Sequence, residues 1–190
     1  MKVYRIVPDL EKYQIILPVS DSDEIQDMLD FNGLVKKNVW TPIEFYVDNP
    51  LKLKGDFFSF INPSAFACNK SAVDKLMYYW DQSAELLPIY LEDNTELFIV
   101  NVIECVNALD KKNSQHDVYS DGVKSNRIIR FAFHPNRLHE SSIFKIPETV
   151  DTQILTYSGV KNPENEFMYA YERSGLKGLK FELIFNNDII

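Results

Sequence analysis

Apolar residues alternate with other residues through the middle of the chain. One parity of this stretch is apolar at five positions, Phe98, Val100, Val102, Val106 and Ala108. Period-two alternation is typical of a β-strand with one face against a hydrophobic core. We therefore predict a long strand over residues 97–108, joined by a polar hairpin turn to a shorter strand before it.

Glu104 interrupts this apolar parity and has three interpretations. It faces outward at a bulge, it pairs with another buried group, or it belongs to a functional site. An unpaired ionised carboxylate in the core is excluded, because its desolvation would cost several kcal/mol.

The same alternation predicts strands near both ends of the chain. Residues 2–7 and 13–17 are short strands separated by a Pro-Asp turn, and Pro18 ends the second. The closing strand carries four apolar residues that we expect on one face, Leu179, Phe181, Leu183 and Phe185.

Two segments show helical spacing. A cap at Asn69 or Ser71 precedes apolar residues three and four positions apart, namely Val73, Leu76, Met77 and Trp80. Residues 163–174 form the second helix, which Gly175 is suited to end. An acidic helical turn is also predicted over residues 20–29.

The chain has 190 residues, of which 45% are hydrophobic, enough for one sizeable core. Together with the predicted elements, this indicates a single α+β domain over residues 1–190. We expect a mainly antiparallel sheet and two principal helices.

The net charge of −8 argues against a nucleic-acid-binding protein, because such proteins neutralise phosphates with clustered lysine and arginine. A basic partner fits better, although an acidic composition also serves solubility. No stretch approaches the ~18 apolar residues of a membrane span, and Asp9, Glu11 and Lys12 interrupt the N-terminal apolar run. We expect a cytoplasmic protein that does not bind a membrane.

Candidate chemistry is sparse. The glycines form no phosphate-binding motif. "HESSI" at His139 has Ile143 where a zinc-binding helix needs a second histidine, and nothing completes a metal site around His134 and His139. Cys68 and Cys105 lie in apolar runs and are predicted to be buried thiols. We expect no metal, cofactor or catalytic residue.

Three segments, in this order and separation, resemble a bacterial immunity-protein family of polymorphic toxin systems, first described as a domain of unknown function. The family's "NV…VDALD…S" block is matched at Asn101, Val102, Asn107, Ala108, Leu109, Asp110 and Ser114, with Asn107 where aspartate is more usual. A second stretch is echoed by Phe144, Lys145, Ile146, Pro147 and Glu148. The terminal pattern "GL.G..F" is echoed by Gly175, Leu176, Gly178 and Phe181.

The resemblance implies a non-catalytic protein that binds and neutralises a cognate toxin, and it leaves the toxin's chemistry and the oligomeric state open. The resemblance implies that the "NV…NALD" block has a structural role rather than a functional one. An outward-facing position at a bulge is therefore the favoured interpretation of Glu104. Two acidic groups are candidate contacts for a basic toxin. One comprises Asp21, Asp23, Glu24, Asp27 and Asp30; the other comprises Glu92, Asp93 and Glu96.

Each acidic group also has an ordinary structural explanation, as an acidic helix start and a solvated hairpin turn. Two other functions stay open at this point. One is a hydrolase-like enzyme acting on a small or peptidic substrate, with its site among His116, His134 and His139; the other is a regulatory binding module without a toxin.

Overall fold

A computed structural model describes residues 1–60, 62–138, 142–159 and 162–187, which form twelve β-strands and four α-helices. The strands of the first half are β1 (Lys2–Pro8), β2 (Ile16–Pro18), β3 (Glu44–Val47), β4 (Phe57–Phe58), β5 (Phe66–Cys68), β6 (Ala84–Leu91) and β7 (Glu96–Val102). Those of the second half are β8 (Gln115–Val118), β9 (Lys124–Arg130), β10 (Ile143–Phe144), β11 (Ile154–Ser158) and β12 (Leu179–Asn186). The helices are α1 (Asp23–Met28), α2 (Lys70–Lys75), α3 (Met77–Ser83) and α4 (Phe167–Ser174).

The largest sheet has six strands in the order β2-β3-β6-β7-β5-β4. All neighbours are antiparallel except β3 and β6. The sheet nearly closes on itself, because Ile16 N donates to Ser59 O at 2.9 Å and Ser59 directly follows β4. The predicted α+β class with mostly antiparallel strands is confirmed, and the sheet is a barrel rather than a flat layer.

Large apolar side chains fill the barrel. Leu87, Ile89 and Leu91 of β6 point inward, whereas Pro88 and Tyr90 between them do not. Phe60 meets the rings of Phe31 and Phe45 edge-on, with centroids 6.0 and 6.1 Å apart. Full burial of one such side chain contributes about 1.5–3 kcal/mol, so this interior is a main source of stability.

Part of the outer barrel surface is covered by helices and by a four-stranded sheet of order β10-β11-β1-β12. One apolar cluster includes Phe66 and Val100 from the barrel, Trp80 from α3, and Ile6 and Ile154 from the second sheet. The opposite face of the second sheet packs against residues 108–138, and β8 and β9 form a separate hairpin. Within the described ranges, every helix is too short or too polar to cross a bilayer.

The first predicted helix is broken into α2 and α3 at Leu76. Asn69 is the cap, since its side chain accepts a hydrogen bond from Ala72 N at 2.9 Å. The break reorients α3, so that Tyr79 and Trp80 both meet the ring of Phe167, at 5.7 and 5.3 Å. The second predicted helix, over residues 163–174, is α-helical only from Phe167, because Pro163–Asn165 is a separate 3-10 turn and Glu166 between them is extended. Gly175 adopts φ +72° after the last residue of α4.

The long strand predicted over residues 97–108 is correct only as far as Val102, where β7 ends. The amides of Ile103 and Glu104 both donate to Ser83 O, at 2.9 and 3.1 Å. Two successive donors to one carbonyl are typical of a β-bulge. Glu104 is half-exposed at this irregularity, which agrees with the first of its three interpretations.

The prediction that the closing strand has one apolar face is wrong. Its register with β1 shifts between Val3 and Tyr4, and one extra residue moves the following side chains to the other face. Leu179 therefore packs in the cluster between the sheets, Phe185 packs on Phe133 with ring centroids 5.6 Å apart, and Leu183 is 52% exposed.

Gly178, which precedes β12, provides a test of this packing. It has φ +118°, and a Cβ placed there would lie 2.5 Å from Phe57 O. We expect Gly178→Ala to destabilise the protein by about 3 kcal/mol or more, from backbone strain and steric overlap together. Gly175→Ala is the matched control, because its φ is +72° but its Cβ would meet nothing within 4 Å. Urea denaturation measures both; equal losses of stability would contradict the overlap with Phe57.

Candidate partner-binding face

The outer surface of β3 and β6 is left uncovered near one end of the barrel. Ile43 and Phe45 are buried inside, so Glu44 and Tyr46 point outward by the alternation of a strand. In β6, Leu91 is inside and Tyr90 is outside. The two strands are paired in parallel with Glu44 opposite Tyr90.

Two carboxylates flank a tyrosine in one row across this surface. Tyr90 pairs with Glu44 on one side and with Glu96 of β7 on the other, and all three residues are exposed, Tyr90 by 39%. Directly paired residues on neighbouring strands point to the same face, with Cβ atoms about 4.5–5.5 Å apart. The tyrosine ring therefore lies between two negative charges.

Apolar and acidic residues extend this row. Val19, half exposed at 50%, donates its amide to Glu44 O at 3.0 Å. Leu17 pairs with Tyr46, and both are half-buried. Glu92 is exposed and, two residues after Tyr90, lies on the same side of the chain as Tyr90. We call this surface the barrel face; its residues are Leu17, Val19, Glu44, Tyr46, Tyr90, Glu92 and Glu96.

The second acidic group of the sequence therefore divides into two roles. Glu92 and Glu96 belong to the barrel face. Asp93 holds the hairpin turn, because its Oδ1 accepts from Thr95 N at 2.9 Å, and Asn94 in the same turn has φ +62°. Hydrogen bonds from Thr95 lower the pKa of Asp93, so its charge is used in a local turn.

The first acidic group lies on and around α1, and Asp21, Asp23, Glu24, Asp27 and Asp30 are all exposed. Ser22 caps the helix, and Gln26 Nε2 donates to Asp21 Oδ1 at 2.6 Å. A cleft of about 480 Å³ is lined by Glu24, Asp27, Met28, Lys36, Val39 and Trp40.

Lys36 balances part of the negative charge around α1. Its Nζ donates to the main-chain oxygens of Asp27 and Met28 at 3.0 and 2.9 Å. Burial lowers the pKa of Lys36, and Asp30, Asp27 and Glu85 oppose that shift. The cleft beside α1 is therefore a less negative surface than its sequence suggests.

The two acidic groups are separated along β6. Lys36 connects α1 to the start of this strand, because its Nζ donates to Asp27 O and its amide donates to Glu85 Oε1. The end of β6 leads to the turn at residues 92–95. The structure thus does not combine the two groups into one site. Instead it joins Glu92 and Glu96 to Glu44, Tyr46 and Tyr90.

Glu44, Tyr46 and Tyr90 are not among the site residues predicted from the sequence. Their outward orientation was available from the alternation in "IEFYV" and "PIYLE". Their proximity was not, because it depends on a parallel pairing between strands about forty residues apart.

The residues considered for the enzyme alternative are dispersed. His116 contacts Ser125 O through Nδ1 at 3.0 Å, within the β8–β9 hairpin, while His134 lines a separate cleft with Asp110. His139 lies outside the described residues. Among the residues that the structure does describe, no three histidine, cysteine or acidic side chains are grouped closely enough to hold a metal ion.

One of the two cysteine predictions is wrong. Cys68 is fully buried, and its burial raises the pKa of the thiol. Cys105 is exposed, because it follows the bulge beyond β7 and lies on an isolated bridge with Lys145 rather than inside a strand.

Lys145, within the "FKIPE" stretch, is completely buried. Its Nζ donates to Phe31 O at 2.8 Å, which connects β10 and its following residue to the loop that carries Phe31 into the barrel. Burial lowers the pKa of Lys145 to about 8, against weaker attraction from Asp151, Cys105 and Asp30. Nothing in the sequence indicated this burial, since lysine is rarely enclosed.

A scan against protein-family models and a search of the curated proteins gave no match to this chain.

The buried lysine predicts a specific pH dependence of stability. Between pH about 8 and about 10.5, Lys145 is protonated in the unfolded chain and neutral in the folded one, so raising the pH favours folding. We expect the free energy of unfolding of the wild type, relative to Lys145→Met, to rise by up to about 3 kcal/mol across this range. Denaturant unfolding at several pH values measures it. Subtracting the variant removes the common titration of buried cysteine and tyrosine; a flat difference would contradict the burial of the ammonium group.

Proposed function

We propose that this chain is a non-catalytic immunity protein that binds and neutralises a cognate bacterial toxin in the cytoplasm, and that the barrel face contacts the toxin. The observation that carries the proposal is the row of Glu44, Tyr90 and Glu96, in which an exposed ring is flanked by two carboxylates. In such a row, one partner protein can contact both the negative charges and the tyrosine ring that anchors it.

The partner that best complements this face is basic. Glu44, Glu92 and Glu96 give it negative charge, which accelerates the encounter with a positively charged protein. Tyr90 and Tyr46 are rigid and amphipathic, and buried tyrosines at interfaces commonly account for much of the binding energy. The net charge of −8 adds a long-range field of the same sign.

The resemblance to immunity proteins supports the same conclusion from other residues. Its matched block spans the end of β7 and the segment after it, and its second stretch contains the buried Lys145. These residues connect the barrel to the second sheet. The resemblance therefore concerns the scaffold, whereas the barrel face provides the contact surface.

Charge removal tests the face with a matched control. The test variant combines Glu44→Gln, Glu92→Gln and Glu96→Gln. The control combines Asp23→Asn, Glu24→Gln and Asp27→Asn, which removes the same charge around α1, on the side of Lys36 and Glu85. The candidate partner to be tested is the protein encoded by the gene directly upstream. We expect the test variant to associate about tenfold more slowly at low salt, with the difference shrinking as salt screens the charges.

The control variant is expected to change the association rate much less, because its charges lie away from the contact. Stopped-flow or surface-plasmon measurements give both rates. A larger effect of the control would move the contact to α1. If neither variant changes the rate, the barrel face does not steer the partner.

Tyr90 tests the anchoring role separately from charge. We expect Tyr90→Ala to weaken toxin binding by at least about thirtyfold, mainly through faster dissociation, because a desolvated tyrosine at an interface centre is worth about 2 kcal/mol or more. Tyr78→Ala is the control, since Tyr78 is 57% exposed on α3. Equal affinity for wild type and Tyr90→Ala would contradict the anchor.

A further inference from the structure

A cleft of about 810 Å³ opens between the segment that follows β9 and the end of β12. Its volume falls within the roughly 300–1,000 Å³ of ligand pockets in proteins. No residue of the barrel face lines it. We call this space the aromatic cleft; its lining includes Asp110, Arg130, Phe131, Phe133, His134 and Phe185.

Three phenylalanine rings form the apolar wall of the aromatic cleft. The rings of Phe131 and Phe133 are parallel within 6°, with centroids 5.9 Å apart, and the ring of Phe185 meets that of Phe133 at 5.6 Å. Phe133 is buried, whereas Phe131 and Phe185 are half-buried and line the cleft. Half-buried aromatic rings favour a flat ring that packs against their faces or edges.

The "NALD…S" block holds this wall in place. His134 N donates to Ala108 O at 2.9 Å, and Asp110 N donates to Ala132 O at 2.8 Å. Ser114 Oγ accepts a hydrogen bond from Ala132 N at 3.0 Å. These bonds fix the main chain on both sides of the buried ring, so the wall is largely preformed, as is usual for ligand pockets.

Arg130 provides the uncompensated charge of the aromatic cleft. Its exposed side chain makes no ion pair or hydrogen bond with the residues that the structure describes. Asp110 uses its carboxylate in its own turn, where it accepts from Asn113 Nδ2 at 2.6 Å and from Lys112 N at 3.1 Å. In a chain of net charge −8, a cleft whose unpaired charge is positive selects an anion.

A single guanidinium group fits a carboxylate better than a phosphate. Two parallel N–H groups of an arginine match the two oxygens of a carboxylate. A phosphate monoester carries close to two negative charges at neutral pH. Among the described residues, neither a lysine nor a second arginine lines the cleft to neutralise the second charge. The anion that the cleft best accommodates is therefore a carboxylate.

We propose that the aromatic cleft binds a small aromatic carboxylate, whose ring packs against Phe131 and Phe185 and whose carboxylate pairs with Arg130. The ligand joins the segment after β9 to the end of β12, so its binding holds the β8–β9 hairpin against the second sheet. This site shares no residue with the barrel face, and its binding does not depend on the toxin proposed above.

The probe is phenylacetate, titrated into the isotope-labelled full chain at neutral pH and followed by NMR. We expect saturable shifts of the amides of residues 130–134 and 184–187, with a Kd of about 1 mM, as is usual for so small a ligand. Phenethylamine carries the opposite charge, cyclohexylacetate lacks the aromatic ring, and phenyl phosphate carries the larger anion. Each should bind at least about fivefold more weakly.

Two variants test the two halves of the site. Arg130→Met removes the charge at an exposed position and should weaken phenylacetate binding at least about tenfold without unfolding the protein. Phe131→Leu removes one ring and should weaken it at least about fivefold. Arg127→Met is the matched control, because Arg127 lies on the same strand but does not line the cleft. The spectrum of each variant without ligand shows that it is folded.

Four outcomes would overturn the proposal. They are the absence of saturable shifts at about ten times the expected Kd, shifts confined to other residues, binding of any of the three analogues as tight as that of phenylacetate, and unchanged binding by Arg130→Met.

Discussion

Closure of the six-stranded sheet is the constraint from which the other features follow. Once Ile16 is hydrogen-bonded to Ser59, every barrel strand has one face in a shared interior and one face outside. The interior is filled by aromatic and aliphatic side chains. The outside must then be covered or remain exposed, and α2, α3 and the second sheet cover only part of it. The barrel face is the part of the outer surface that stays exposed. Its outward-pointing residues include tyrosine and glutamate, whereas valine and phenylalanine occupy the outward positions under the helices.

Period-two alternation made much of this predictable. It predicted β1, the hairpin of β6 and β7, and β12 as strands, although β1, β7 and β12 have apolar contacts on both faces. It failed where a local irregularity changes the parity. The bulge after Val102 ends β7 early, and the extra residue near Leu183 divides β12 between two clusters. Bulges depend on contacts with Ser83 and β1, which no short stretch of sequence contains.

The candidate site was less predictable than the fold. Acidic residues are visible in the sequence, so Glu92 and Glu96 could be predicted as contact residues. Asp93 was predicted with them, although its side chain stabilises the hairpin turn. Glu44 and Tyr90 meet through a parallel pairing that composition does not reveal. Lys145 was matched to a motif, yet its burial depends on Phe31, which is more than a hundred positions away in the chain.

The position of β1 has a consequence for how the protein is made. This first strand lies inside its sheet, between β11 and β12. During synthesis, both of its edges therefore stay unpaired until β11 has been made. The contact of Lys145 with Phe31 is similarly late. Such long-range contacts slow folding and leave the edges of β1 open to aggregation until β11 and β12 have been made. A chain without β12 would leave one edge of β1 unpaired and would remove Leu179 from the cluster that covers the barrel.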